Sequence, residues 1–385
     1  MSSIYLDNSA TTRPYREVRV LIDKIQDKSY GNPSSMHEMG LEAEKVIREA
    51  RRLVSQLFDG REKSIVFTSG GTEANNLAIK GAAFAYKNRG NHLITSAVEH
   101  PSVLDCFKFL EKEGFSVSYL TVNEAGLIDP DQLESLVTKN TILVSIMHVN
   151  NEVGTIQPLE ACGSAIRKKN RSAIFHIDAV QSFGRLPLQP GGWQADLISC
   201  SAHKVHGPRG VGCLWVREGK NLQPQIHGGG QENGLRSGTE NTAGIAGFGL
   251  AAAICKNDKA NNAYELQSLK QAFYRELQKQ DLPFKVNGPA PDQGAPHIIN
   301  ISFPGVKAEV LLHSLEAEKI YVSAGAACHA RRSEPSHVLK AIGLDKKMID
   351  SALRFSFSLF NKKEDVTTAA VKTAGLAKKL LTMQG

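Results

Sequence analysis

Ile142-Leu143-Val144-Ser145-Ile146, then a helix-period segment from Leu159 to Lys169, then Ile174-Phe175-His176-Ile177: this succession decides the fold. Short apolar runs without polar alternation read as strands buried on both faces, and a helix between two of them is the crossover of a parallel pair. The same alternation extends outward from about residue 37 to residue 255. Met39, Ala43, Val46, Ala50, Leu53 and Leu57 recur at threes and fours on one helix face. Further strands are expected at Ile65-Val66-Phe67, His92 to Thr95 and Val117 to Leu120, with a helix from Ala74 to Tyr86. Strand and helix in alternation imply an α/β fold with a mostly parallel sheet covered by helices, which binds ligands at the carboxyl ends of its strands.

Beyond a long helical stretch from Thr242 to Gln280 the pattern changes. Strand-like segments at Ile298 to Phe303, Ile320 to Ser323 and Leu353 to Ser358 are interleaved with helices, as in a smaller α+β domain. The expected division is a large domain over residues 15–255 and a small domain from residues 1–14 and 256–385. The Pro and Gly cluster from Gly288 to Pro296 is the one linker-like stretch.

The 385 residues exceed what one hydrophobic core usually holds, and 41% apolar residues suffice for two. Met1-Ser2-Ser3 runs straight into Ile4-Tyr5-Leu6 without a basic segment or apolar stretch of a targeting signal, and no run is long enough to span a bilayer. Cys106, Cys162, Cys200, Cys213, Cys255 and Cys328 form no C-x-x-C pair and no zinc-site spacing, so no metal site is expected and a reducing cytoplasm is the expected compartment. The net charge of +7 is dispersed, without the aromatic-studded basic stripe of a nucleic-acid surface.

Five features fall where a parallel sheet presents a ligand. Thr68-Ser69-Gly70-Gly71-Thr72 joins a strand to a helix, and its amides and the Thr72 hydroxyl suit a phosphate. Asp178 ends the strand Ile174 to Ile177, where a buried carboxylate can hold a pyridine nitrogen protonated; Gln181 follows three residues on. In Ser199-Cys200-Ser201-Ala202-His203-Lys204-Val205-His206-Gly207-Pro208, a lysine at an apolar strand end is suited to covalent attachment to an aldehyde, with Ser201 and His203 beside it. His100, in Val98-Glu99-His100-Pro101, could lie over a ring and pass protons. Cys328 sits in a run of small residues, Val322 to Ala330, expected to be a mobile loop, and Arg331 and Arg332 favour its thiolate. Four of them have a plain alternative when taken alone: an ordinary turn, a helix cap, a core histidine, an inert thiol.

Taken in order, these motifs resemble those of the cysteine desulfurases in the class V aminotransferase group. The resemblance begins at Tyr5 to Thr12 and Gly31-Asn32-Pro33-Ser34-Ser35, and runs through Phe67 to Thr72, Glu99-His100, His148 to Glu152, His176 to Gln181 and Ser201 to Gly207. It continues through His227 to Glu232, Arg236 to Asn241, the Cys328 loop and Leu353-Arg354-Phe355-Ser356. It implies the fold type I of pyridoxal-phosphate-dependent transferases, with the aldehyde attached to Lys204. His100 would stack on the pyridine ring, Asp178 pair with its nitrogen and Gln181 reach its hydroxyl. Gly71, Thr72, Ser201 and His203 would hold the phosphate, with Thr239 contributed by the second subunit of a homodimer. Asn151 and Arg354 would hold the substrate carboxylate, and Cys328 would be the nucleophile. The implied activity converts L-cysteine to L-alanine and leaves a persulfide on Cys328. The sulfur then passes to an acceptor protein for iron-sulfur cluster assembly or tRNA thiolation, with no direct nucleic-acid or membrane partner.

Many family members surround the cysteine with serine and threonine, whereas Ala326, Ala327, His329 and Ala330 stand here. Gly-Ala-Ala-Cys-His is also similar to selenocysteine lyases of the group, so that activity, or another class V pyridoxal enzyme, is the alternative. The spacing from Cys328 to Glu334-Pro335-Ser336 resembles the branch with the longer catalytic loop. The chain ends soon after Leu380-Leu381, without the longer tail of the members that dock an iron-sulfur scaffold.

Overall fold

The computed structural model describes residues 3–58, 60–257, 259–324 and 335–383. Strand β1 (Ile4–Tyr5) and helices α1 (Arg16–Lys28) and α2 (Glu38–Ser55) come first. The alternating region follows: β2 (Ile65–Thr68), α3 (Gly71–Tyr86), β3 (His92–Ser96), α4 (Pro101–Lys112), β4 (Ser116–Leu120), α5 (Pro130–Leu136), β5 (Thr141–Met147), α6 (Leu159–Lys169), β6 (Ile174–Asp178), β7 (Leu197–Ser201) and β8 (Gly212–Val216). They build a seven-stranded sheet in the order β2-β8-β7-β6-β5-β3-β4. From β4 across to β7 every pairing is parallel, while β8 runs antiparallel to both β7 and β2. The expected α/β class and mostly parallel sheet are therefore present.

The unbroken apolar runs reflect burial on both faces. Strands β5 to β8 are buried along their whole length. Alternate side chains enter different cores: Ile65, Phe67, Val144, Ile146, Phe175, Ile177 and Ile198 pack on one side, and Val66, Leu143, Ile174, Leu197 and Leu214 on the other. A one-residue slip of any strand would exchange these sets, so the sheet register follows from core packing. Strand β8, an apolar run returning after the Gly207-Pro208 turn, lies outside the sequence expectations because it opposes the parallel pattern.

The Thr242 to Gln280 stretch forms two helices, α7 (Thr242–Asn257) and α8 (Lys259–Gln278). Then come β9 (Lys285–Asn287), β10 (Ile298–Ser302), α9 (Ala308–Ala317), β11 (Ile320–Tyr321), β12 (Ser323–Ala324), α10 (His337–Ala341), α11 (Lys346–Asp350), β13 (Ala352–Ser356) and α12 (Lys363–Thr382). A four-stranded antiparallel sheet, β12-β13-β10-β9, packs with α8, α9 and α12 around a core including Phe273, Ile301, Leu311, Phe355 and Ala370. The segment expected as one strand from Ile320 to Ser323 divides: β11 pairs with β1, and β12 with β13. The stretch from Gly288 to Pro296 is a packed connection, since Ala295 N–H donates to the Gly154 carbonyl at 2.7 Å and Lys270 Nζ to the carbonyls of Gln293 and Ala295. Among the described residues no helix is long and apolar enough to cross a membrane.

One connection positions the site. After β1 the chain is tied to β13, with Ser356 N–H donating to the Leu6 carbonyl at 2.7 Å and Asn8 Nδ2 to the Ser356 carbonyl at 2.9 Å. It then reaches the loop after β7, where the Thr12 N–H and hydroxyl both donate to the His203 carbonyl at 2.9 and 2.8 Å. Residues 7–12 thus form a strap between the two sheets.

Candidate active site

A cavity of about 260 Å³ opens at the carboxyl ends of β5, β6 and β7, under the strap. Its lining includes Gly71, Thr72, His100, Asn151, Asp178, Gln181, Ser201, His203, Lys204 and Arg354. Local geometry explains how each arrives. Gly71 begins α3 with Gly70 before it, and no side chain caps the helix, so its first amides are left for an anion. A Cβ at Gly71 would lie 2.6 Å from Val180 Cγ2, so only glycine lets this helix start sit against the turn after β6.

Lys204 ends a single 3-10 turn, Ala202–Lys204, directly after β7. Val205 N–H and Gly207 N–H both donate to the Ala202 carbonyl at 3.0 Å. A Cβ at Gly207 would stand 2.8 Å from that carbonyl oxygen, so the glycine permits the tight return. Lys204 Nζ donates to the strap carbonyls of Ser9 and, at 2.9 Å, Ala10. Arg185, buried and with its pKa lowered to about 10 by desolvation, holds the turn through Nη2 to the Lys204 carbonyl at 2.7 Å. His203 Nδ1 lies 3.1 Å from Thr11 Oγ1; burial, helped by Lys204 and neighbouring arginines, lowers its pKa to about 4 and keeps the ring neutral.

Asp178 ends β6 at 5% exposure, with Oδ1 accepting from Val180 N–H at 2.9 Å and Oδ2 from Asn75 Nδ2 at 2.8 Å. Gln181 Nε2 donates to the Ser9 carbonyl at 3.0 Å. His100 caps α4, its Nδ1 accepting from Ser102 N–H at 3.1 Å. Buried Ser201 Oγ and Gln181 Oε1 have no partner among the described residues, and buried polar groups rarely stay so. Those orphaned atoms, the uncapped helix start, the Asp178 carboxylate and the Lys204 amine form a donor set that fits a phosphorylated pyridine aldehyde. Gly71, Thr72, Ser201 and His203 would hold the phosphate, and Asp178 the ring nitrogen.

The remaining expected residues divide. Arg354, on β13, donates through Nη1 to the Asn151 carbonyl at 2.9 Å and through Nη2 to Asp7 Oδ1 at 2.7 Å, so Asn151 and Arg354 meet at the cavity from different sheets. Thr239 is exposed and outside this cavity. Its loop is pinned to the large sheet: Glu232, with its side chain 2% exposed, takes both Arg51 Nη atoms at 2.8 and 2.7 Å and the Phe67 N–H at 2.9 Å. Glu232→Ala would leave Arg51 uncompensated, and a destabilisation of about 3–5 kcal/mol is expected in urea unfolding. Cys328, with Arg331 and Arg332, lies outside the described residues.

Several contributors escaped the sequence reading. Ser9 and Ala10 act through backbone carbonyls, which leave no side-chain signal. Glu99 is wholly buried, accepting from Ser96 Oγ at 2.5 Å and Met147 N–H at 2.9 Å, and burial pushes its carboxyl up to about 8. Glu152, raised by burial to about 7, accepts from Ser336 Oγ at 2.5 Å, and His337 Nε2 is 2.9 Å from the Glu99 carbonyl. Glu152 through its carboxylate and Glu99 through its backbone carbonyl thus anchor the start of α10.

The family model of class-V aminotransferases matches residues 4–368. A cysteine desulfurase IscS of Dictyoglomus turgidum is 43% identical over 363 residues, covering 94% of this chain and 91% of that protein. Among solved structures, a NifS-like protein superposes with a TM-score of 0.92 at 36% identity, over 98% of this chain and 100% of that one. SspA in complex with cysteine gives a TM-score of 0.82 at 36% identity, over 94% and 100%. With its fold, cavity and near full-length matches in agreement, the chain belongs to the class-V aminotransferase family and, within it, to the pyridoxal-phosphate-dependent cysteine desulfurases.

Proposed function

We propose that this protein converts L-cysteine to L-alanine and leaves the sulfur as a persulfide on Cys328, from which it passes to an acceptor protein. The observation that carries the reading is the convergence of Lys204, Asp178, Gln181, His100, Ser201 and Arg354 on one cavity. Pyridoxal phosphate, when bound, supplies a sink for the electron pair released at the substrate α-carbon. Asp178 favours the protonated form of the ring nitrogen, which makes that sink effective. Lys204 Nζ takes the α-proton and returns it on the path to alanine. Arg354 and Asn151 orient the substrate carboxylate. Cys328 Sγ attacks the substrate sulfur: one S–S bond forms, the substrate C–S bond breaks, and L-cysteine plus the thiol becomes L-alanine plus the persulfide. The structural neighbour bound to cysteine supports cysteine as the substrate.

The same reading places the protein in the cytoplasm as a homodimer, with Thr239 reaching the phosphate site of the other subunit; its exposed, pinned loop supports that role. The division into residues 15–255 and residues 1–14 with 256–385 is supported by the separate apolar cores. The acceptor would belong to iron-sulfur cluster assembly or tRNA thiolation.

The test is incubation with L-cysteine followed by alanine measurement and mass analysis of the Cys328 peptide. One alanine formed with one sulfur added to that peptide is the expected result; alanine without the added sulfur removes Cys328 from the reaction. Arg354→Lys should raise KM about 10- to 100-fold with a smaller effect on kcat, because a charged hydrogen bond is worth about 1.5–3 kcal/mol and lysine cannot reproduce the planar fork. Steady-state kinetics on L-cysteine checks it.

A further inference from the structure

We infer that Asn75 and Ser102 are positioning residues that link the Asp178 carboxylate to His100 and hold the imidazole as its Nε2–H tautomer. The inference rests on the cofactor site described above and adds two side chains to it. Asn75, on α3, is 1% exposed, and its Nδ2 donates to Asp178 Oδ2 and to Ser102 Oγ, both at 2.8 Å. Both amide hydrogens are thereby used. Reversing the amide would set its carbonyl against the Asp178 carboxylate, acceptor against acceptor, so Asp178 dictates the orientation.

The consequence passes along the chain of donors. Ser102 Oγ accepts from Asn75, so its own hydrogen goes to His100 Nδ1, 2.8 Å away. The Ser102 backbone N–H donates to the same nitrogen at 3.1 Å. A nitrogen that accepts from two donors carries no proton, so the neutral ring bears it on Nε2. His100 also caps α4, where the positive end of the helix disfavours an imidazolium. Helix α3 therefore serves the site twice, through its first amides and, one turn on, through Asn75.

Ser102→Ala removes one donor to Nδ1 and one acceptor of Asn75 at little cost in volume; Ser102→Thr keeps the hydroxyl. In the resting holoenzyme labelled with 15N-histidine, the His100 ring signals are identified by their loss in His100→Gln. The expected wild-type pattern has a pyridine-type Nδ1 and a protonated Nε2. Ser102→Ala should shift the Nδ1 signal and lower kcat about tenfold, the weight of one lost hydrogen bond, with KM nearly unchanged. Ser102→Thr should restore both. Asn75→Leu should act in the same direction, and the double variant should be no worse than the worse single one. If Asn75→Leu does not fold, the two serine variants decide alone. A wild-type His100 protonated on Nδ1, or a Ser102→Ala enzyme with unchanged ring signals and kcat, overturns the inference. A wild-type protein that makes no alanine would instead overturn the desulfurase reading, because the tautomer is read without cysteine.

Discussion

Lys204→Ala is expected to lose alanine formation from L-cysteine by more than about 10³-fold, since a positioned general base alone contributes about 10²–10⁴. Among the described residues that line the cavity, no other amine is present. His203 is a weak base for the task, its pKa lowered to about 4 chiefly by burial and its Nδ1 engaged with Thr11 Oγ1. His100 is committed through Nδ1 to Ser102. The turn itself should survive, because its hydrogen bonds run through the backbone of Ala202, Val205 and Gly207 and through Arg185 to the Lys204 carbonyl. The variant should therefore fold, bind pyridoxal phosphate without a covalent link, and release it on gel filtration in denaturant, whereas borohydride-treated wild type retains it. A variant making alanine at the wild-type rate removes Lys204 from the mechanism.

Cys328→Ala is the second large effect: sulfide release from L-cysteine should fall to the background without enzyme, while the yellow colour of bound cofactor persists. Rescue from another thiol is not expected. Cys106, Cys162, Cys200, Cys213 and Cys255 are all buried, and desolvation raises Cys106 and Cys255 to about 11 and Cys162 to about 12. Those three are held as thiols at neutral pH, burial raises Cys200 well above its ordinary value as well, and only a thiolate attacks sulfur efficiently. Sulfide release with an intact rate would return the protein to a general pyridoxal enzyme. Persulfide found on one of the buried cysteines would show that transfer does not need Cys328.

How much of this was legible depended on the range of each signal. The strands and helices of the large sheet could be read because burial on both faces writes itself into consecutive residues: Thr141–Met147 and Leu159–Lys169 are readable from their own composition. Strand β8 was equally apolar but ran against the parallel pattern. Lys204, Asp178, Gly71 and Thr72 were legible because they sit at strand ends or helix starts, where chain direction alone puts them at one edge of the sheet. Asn75 was not, since an asparagine inside α3 looks like any polar residue until Asp178, 103 positions away, is placed against it.

With the role proposed for the Cys328 thiol left to the family resemblance, the amino-acid sequence by itself determined the α/β class and marked the lysine, aspartate and glycine turn proposed as the cofactor site. These rest on local periodicity and on residue types whose chemistry is intrinsic. Only the tertiary structure decided that Arg354 meets Asn151 across 203 residues, that the Ser9 and Ala10 carbonyls receive the Lys204 amine, and that Asn75 and Ser102 join Asp178 to His100. Those contacts depend on hydrogen-bond directions between segments remote in the chain, which exist only once the two cores have packed.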